Sequence, residues 1–260
     1  MIPRQLRKPC SGWGREAMIA ATRAAVGGGG APRPPPRRPR RHPARVLRYT
    51  VGVDAQTPLP QGFFARSALE VARDLIGCTF LFRGAGGRIV ETEAYRQDDS
   101  CCHGYRGKTA RNAVLFGPPG HLYVYFTYGM HFCGNVACEP EGTGAGVLLR
   151  AIVPEHGVGE MVARRGVVEP RLLCSGPARF AQALGIGRDQ NGLPVWEPPL
   201  AILARGGGGA SIAAAPRIVT TPRIGVRGGD QKPWRFVDAD SRFLSRPLPR
   251  PARPGRPPKA

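Results

Sequence analysis

Two acids and an aromatic ring at two-residue spacing stand first among the side chains that could do chemistry: Glu91-Thr92-Glu93-Ala94-Tyr95. Arg88 to Tyr95 alternates as a β-strand does, so Ile89, Glu91, Glu93 and Tyr95 are predicted to share one face. A carboxylate and a phenol ring then point the same way. Farther along, Arg150 interrupts a largely apolar stretch, Val147 to Val153, that reads as a buried strand. An unpaired buried charge is strongly destabilising, so Arg150 requires a carboxylate such as Glu93. The pair is either a structural salt bridge or an ionised base held ready to take a proton. Residue types alone leave both open.

The elements that must position these groups can be sketched from periodicity. Ser67 is predicted to cap a helix whose apolar residues Leu69, Ala72, Leu75 and Ile76 recur at three- and four-residue steps, with Gly77 as its stop. Residues 96 to 120 form a polar, Gly- and Pro-rich loop that includes Asp98, Asp99 and His103. His121 to Tyr128 is β-rich, with Tyr123, Tyr125 and Thr127 on one side and Leu122, Val124, Phe126 and Tyr128 on the other. Gly129 breaks that run and Phe132 to Ala137 returns, which predicts a β-hairpin with Tyr128, Gly129 and Met130 near its tip. A helix is predicted over Leu172 to Leu184, after a Ser175-Gly176-Pro177 start. Ile218 to Val226 and Trp234 to Val237 read as closing strands, and the Gly- and Ala-rich stretch 205–216 as a mobile insertion.

Charge is concentrated at the ends. Of a formal +20, residues 1–50 carry twelve Lys or Arg against Glu16 alone, and residues 246–260 carry five against no acid, which leaves +4 for 51–245. Arg with Pro and Gly buries little apolar surface, so 1–56 and 246–260 are expected to be disordered basic tails flanking one domain over 57–245. A basic tail suits a polyanionic partner or an organellar address. It equally suits GC-rich coding or a true start at Met18. No apolar run approaches the roughly eighteen residues that a membrane span needs, so no membrane partner is expected. Seven cysteines form no C-x-x-C pair, which argues against a zinc ribbon or a secreted disulfide framework and for buried thiols in a reducing compartment.

Several short strings then agree in order and spacing: Glu91-Thr92-Glu93-Ala94-Tyr95, Arg111-Asn112, Gly120-His121-Leu122-Tyr123-Val124-Tyr125, Tyr128-Gly129-Met130, Asn135, Val147-Leu148-Leu149-Arg150-Ala151, Cys174-Ser175-Gly176-Pro177 and Pro222-Arg223-Ile224-Gly225-Val226. Together, over roughly Phe63 to Ser245, they resemble the alkyladenine (3-methyladenine) DNA glycosylase family. The resemblance implies an α+β fold, a single compact mixed domain around a curved, mainly antiparallel sheet with a protruding hairpin that inserts into DNA. It implies Glu93 as general base and Arg150 as its holder, with the backbone carbonyl of Ile224 as a third contact to the attacking water. Tyr95, His103 and Tyr125 would sandwich an everted base, Asn135 would crowd the amino group of guanine, and Tyr128 with Met130 would intercalate. No metal or other cofactor is implied. The implied partner is double-stranded DNA containing alkylated or deaminated purines, acted on by a monomer in the bacterial cytoplasm at the nucleoid, or in a eukaryotic nucleus. Gly134 stands where the family usually has a larger apolar residue, which is expected to widen the pocket floor, and Ala110 replaces a common proline.

Each of these residues also has a plainer reading. Tyrosines and a histidine are commonly satisfied core residues, Asn135 a backbone-capping side chain and Tyr128 an ordinary exposed turn residue. At the level of the whole protein, the alternatives to an enzyme are a non-catalytic nucleic-acid-binding module and an RNA-binding or tRNA-modifying module, since aromatic pockets stack RNA bases as well.

Overall fold

The computed structural model describes residues 57–205, 215–226 and 231–248. The expected tail 1–56, the end of the C-terminal tail from 249 and most of the expected insertion, 206–214, lie outside the described residues.

Ser67 caps its helix as expected, its hydroxyl accepting from the Leu69 amide at 3.4 Å. After a short α1 (Gln61–Phe64), this second helix, α2, runs Ala68–Asp74, and Ala68, Val71 and Ala72 turn inward. The chain then enters a sheet built from β1 (Thr79–Phe82), β2 (Ala85–Tyr95), β3 (Leu122–Thr127), β4 (His131–Ala137) and β5 (Gly146–His156). After α3 (Val158–Arg165), α4 (Pro170–Leu173) and α5 (Pro177–Leu184), it returns as β6 (Trp196–Glu197), β7 (Leu200–Leu203), β8 (Ile218–Thr221) and β9 (Arg235–Asp238). The nine strands make one curled antiparallel sheet in the order β3-β4-β5-β2-β1-β7-β6, with β9 joined to β2 and β8. The fold is the expected α+β domain.

The long strand β2 organises the site because it changes partners. Its first residues pair with β1, Thr79 opposite Arg88 and Phe82 opposite Ala85, whereas Glu91 to Glu93 pair with β9. β5 runs along its other edge throughout. The principal core lies between this sheet and the helices. Phe64, Val71, Ile76, Phe80, Leu149, Phe180 and Ile202 are fully or almost fully buried there.

Four expectations need correction. The closing strand read over 218–226 ends at Thr221, where Pro222 follows and has no N–H to give to a ladder. Ile89 pairs with Ile152 but Glu91 pairs with Ala151, so Val90 is an extra residue in β2. This bulge reverses the alternation: Ile89 joins the principal core while Val90 packs with Ala151, Val237 and Leu244. Ile89 therefore does not share the face of Glu91, Glu93 and Tyr95. The predicted helix over 172–184 is two helices, α4 and α5, because Ser175 bridges to Ala151 and Pro177 opens a new first turn after Gly176 at φ +130°. Gly134 does not floor a pocket, since a Cβ there would face Leu122 and Phe180 in the core.

The hairpin β3–β4 forms as expected. Thr127 pairs with His131, the Met130 amide donates to the Thr127 carbonyl, and both central residues have positive φ, Tyr128 at 50° and Gly129 at 67°. No helix among the described residues is long and apolar enough to cross a membrane.

Candidate active site

A second irregularity in β2–β5 aims the central arginine. Glu91 pairs with Ala151 and Thr92 with Leu149, which leaves Arg150 as the extra residue of β5. Bulges of this kind re-aim a side chain out of the regular alternation. The Arg150 guanidinium lands between two carboxylates of β2. Its Nε donates to Glu91 at 2.8 Å, its Nη1 to Glu93 at 3.1 Å and its Nη2 to the Ser245 hydroxyl at 3.1 Å. Both glutamates are fully buried and Arg150 is nearly so.

Glu93, the carboxylate expected as general base, spreads its lone pairs over three donors. Oε1 accepts from the Ile224 amide at 2.7 Å, and Oε2 accepts from Arg150 and from the Tyr95 hydroxyl at 3.0 Å. Ile224 thus reaches the carboxylate through its N–H. Burial, the strongest influence, raises the Glu93 pKa above its ordinary value despite Arg150, the Ile224 amide and Tyr95. Burial opposes ionisation of Glu91 too, but Arg150, Arg235 and Ser245 outweigh it and hold that carboxyl low.

Beside this network lies a cavity of about 90 Å³ lined by Tyr95, His103, Tyr123, Tyr125 and Asn135, together with Cys101 and Cys102. The four expected pocket residues are therefore assembled around one space. The His103 ring meets Tyr125 edge-on at 4.4 Å, and its Nδ1 lies 3.0 Å from the Tyr123 hydroxyl. Burial and the nearby Arg111 charge lower its pKa, so the neutral imidazole is favoured. Asn112 holds the loop that delivers His103, donating to the carbonyls of His103 and Gly107 at 2.8 and 3.1 Å. Asn135 is buried on β4, and its Nδ2 has no protein partner. Tyr128 and Met130 stand apart from the cavity on the hairpin tip, 82% and 68% exposed.

Sequence reasoning missed several participants. Glu91 and Tyr123 belong to strings it singled out, and alternation with Tyr125 was a usable signal for Tyr123. Arg235 and Ser245 carried no such signal; they arrive from β9 and the segment after it, more than 140 residues downstream of Glu91. Arg223 was also missed. Its guanidinium lies over the Tyr95 ring at 4.6 Å and the Trp234 ring at 5.2 Å, and it donates to the Ala94 carbonyl and to the buried Asp99 carboxylate. Among the described residues, no three His, Cys, Asp or Glu side chains gather as a metal cluster would require.

An acid, an arginine and an aromatic cavity meeting at a bulged sheet can be compared with known proteins. The chain is 55% identical over 192 residues to a Rhodopseudomonas palustris protein named "Putative 3-methyladenine DNA glycosylase", covering 74% of this chain and 90% of that one. Proteins of the same name from Nitrosospira multiformis and Rhizobium meliloti are each 49% identical, over 188 and 184 residues, covering 72% and 71% of this chain and 94% of each relative. Residues 62–242, which contain every side chain of this site except Ser245, match the model of the methylpurine-DNA glycosylase (MPG) family, and the chain belongs to that family.

Proposed function

We propose that the protein is a monofunctional DNA glycosylase. It everts alkylated purines from duplex DNA and hydrolyses their N-glycosidic bond, leaving an abasic site. The observation that carries this reading is the placement of Glu93: a buried carboxylate with three donors, one of them the hydroxyl of a tyrosine that lines the aromatic cavity.

An everted base enters the cavity among Tyr95, His103 and Tyr125. Alkylation at N3 or N7 makes a purine cationic, and a cation against aromatic faces gains roughly 0.5–2 kcal/mol, more when water is excluded. The unpartnered amide of Asn135 faces the amino group of a normal guanine donor to donor, which penalises that base. Tyr128 and Met130 fill the gap in the duplex, offsetting part of the unstacking cost.

In the chemical step, Glu93 takes a proton from a water whose oxygen bonds to C1′ as the C1′–N bond breaks. The bonding pair passes to the purine and neutralises its positive charge. The Glu93 pKa, raised by burial, makes it a stronger base than an exposed carboxylate, while Arg150 favours its ionised form. An alkylated purine is already a good leaving group, so the step needs no metal.

The test is Glu93→Gln in the full chain, assayed for free base from methylated duplex under single-turnover conditions. Binding should persist while base release falls by at least about 100-fold. Release at the wild-type rate would remove Glu93 from the mechanism. Wild-type binding with no free purine would favour a non-catalytic binding module.

A further inference from the structure

We infer that Glu91 is the positioning residue of this site: through Arg150 it sets where the Glu93 carboxylate sits and how strongly that carboxylate holds a proton. The inference rests on the glycosylase reading, and it concerns a residue two positions from the base that touches no part of the cavity.

Glu91 is saturated with donors. Its Oε1 accepts from Arg150 Nε and Arg235 Nε at 2.8 Å each and from the Ser245 hydroxyl at 2.7 Å, and its Oε2 accepts from the Ser245 amide at 2.6 Å. A guanidinium is a rigid planar fork, so fixing Nε fixes the direction of Nη1, the nitrogen that reaches Glu93. Ser245 fixes the third point by accepting from Nη2. Arg150 thus gives its shorter bond to Glu91 and its longer one to Glu93, and it approaches Glu93 from a direction dictated by its neighbour. Arg235 adds a second cation on the Glu91 side, held in turn by the Thr221 hydroxyl and the Arg246 carbonyl.

The charge of Glu91 matters as well as its shape. Glu93 faces Arg150 from β5, Glu91 and Tyr95 from its own strand, and the Ile224 amide from the segment after β8. It also faces Tyr125 on β3. Among these, Glu91 is the acid that opposes ionisation of Glu93, and it also draws on Arg150. Removing its charge while keeping its shape releases Arg150 to Glu93 alone. The base then ionises at lower pH and becomes weaker.

Two variants of the full chain separate geometry from charge, each measured as single-turnover base release from methylated duplex across pH, with DNA affinity and thermal melting alongside. Glu91→Gln should slow the plateau by about 10- to 100-fold, the scale on which small misplacements act. Its acidic limb should move to lower pH and its DNA affinity should stay unchanged. Ser245→Ala keeps every charge and removes the hydroxyl's bonds to Arg150 Nη2 and Glu91 Oε1, so its plateau should fall by about 3- to 10-fold with the limb in place. If Glu91→Gln does not fold, Ser245→Ala decides alone, and a wild-type rate there overturns the inference. A slowed Glu91→Gln with an unmoved limb would show structural damage only and would also overturn it. A wild-type protein that releases no base sinks the glycosylase reading, and the positioning role with it.

Discussion

Cutting Arg223 back to alanine tests whether the back of the cavity is held by charge. Arg223 and Asp99 have side chains 1% and 0% exposed, and the guanidinium is the cation facing that carboxylate at hydrogen-bond distance. Removing one member of a buried pair costs about 3–5 kcal/mol because the other is left charged and dry. Loss of the contacts over Tyr95 and Trp234 adds to this. For a domain of this size each kcal/mol lowers the melting temperature by roughly 2–4 °C, so Arg223→Ala should melt about 6–20 °C below wild type at pH 7. The pH dependence identifies the cause. Burial disfavours the Asp99 carboxylate, yet bonds from Arg223 and the Cys101 amide outweigh it and hold the group below its ordinary 3.8. In the wild type this stability is fully present above the unfolded value and is lost as pH falls through the lower folded value. In Arg223→Ala the main opposition to burial is gone and the folded value rises, so the folded variant takes up a proton before the unfolded chain does and gains stability as pH falls. The gap between the two melting temperatures should therefore be widest near neutrality and should narrow toward pH 4. The double variant Asp99→Asn/Arg223→Met should recover part of the loss. A gap that widens in acid, or a double variant below the single one, would refute the reasoning.

Tyr95→Phe removes one of the bonds that favour the Glu93 carboxylate, so the acidic limb of base release should move to higher pH, opposite to Glu91→Gln; an unmoved limb would mean that the 3.0 Å contact contributes nothing to ionisation. Gly144→Ala would place a Cβ within 2.8 Å of Phe116 Cε1 and Cε2, and overpacking of this kind costs about 1–3 kcal/mol. Thermal melting should show the loss, and an unchanged melting temperature would mean that Phe116 swings clear.

Where local rules decide the structure, the amino-acid sequence was readable. Ser67 before an apolar 3.6-residue repeat gave α2, and Tyr128-Gly129 between two alternating runs gave the hairpin, because capping and turn chemistry act within a few residues. The strand TFLF of β1 and the short strands β6 and β7 were not anticipated, since runs of two to four residues carry no usable period. The bulges at Val90 and Arg150 were equally silent. They fall where β1 gives way to β9 along β2, and no single string encodes that exchange. Arg150 announced that it needed an acid. That it takes two, and that Arg235 shares one of them, follows only from the tertiary pairing.

The unequal sharing of cations bears on which acid can act as base. Glu91 and Glu93 stand two residues apart on one strand, equally buried, with Arg150 between them. Glu91 also has Arg235 and both donors of Ser245, so it is neutralised within the network and its lone pairs are spent. Glu93 has the far prong of a shared arginine, one amide and one phenol, and its pKa moves up where that of Glu91 moves down. Two like groups whose surroundings push their proton affinities apart divide a task between them. In the proposed mechanism the base is the group whose pKa is raised, and Glu93 is also the one bonded to a cavity-lining tyrosine. If the roles were reversed, Glu91→Gln and not Glu93→Gln would abolish chemistry while leaving DNA binding intact.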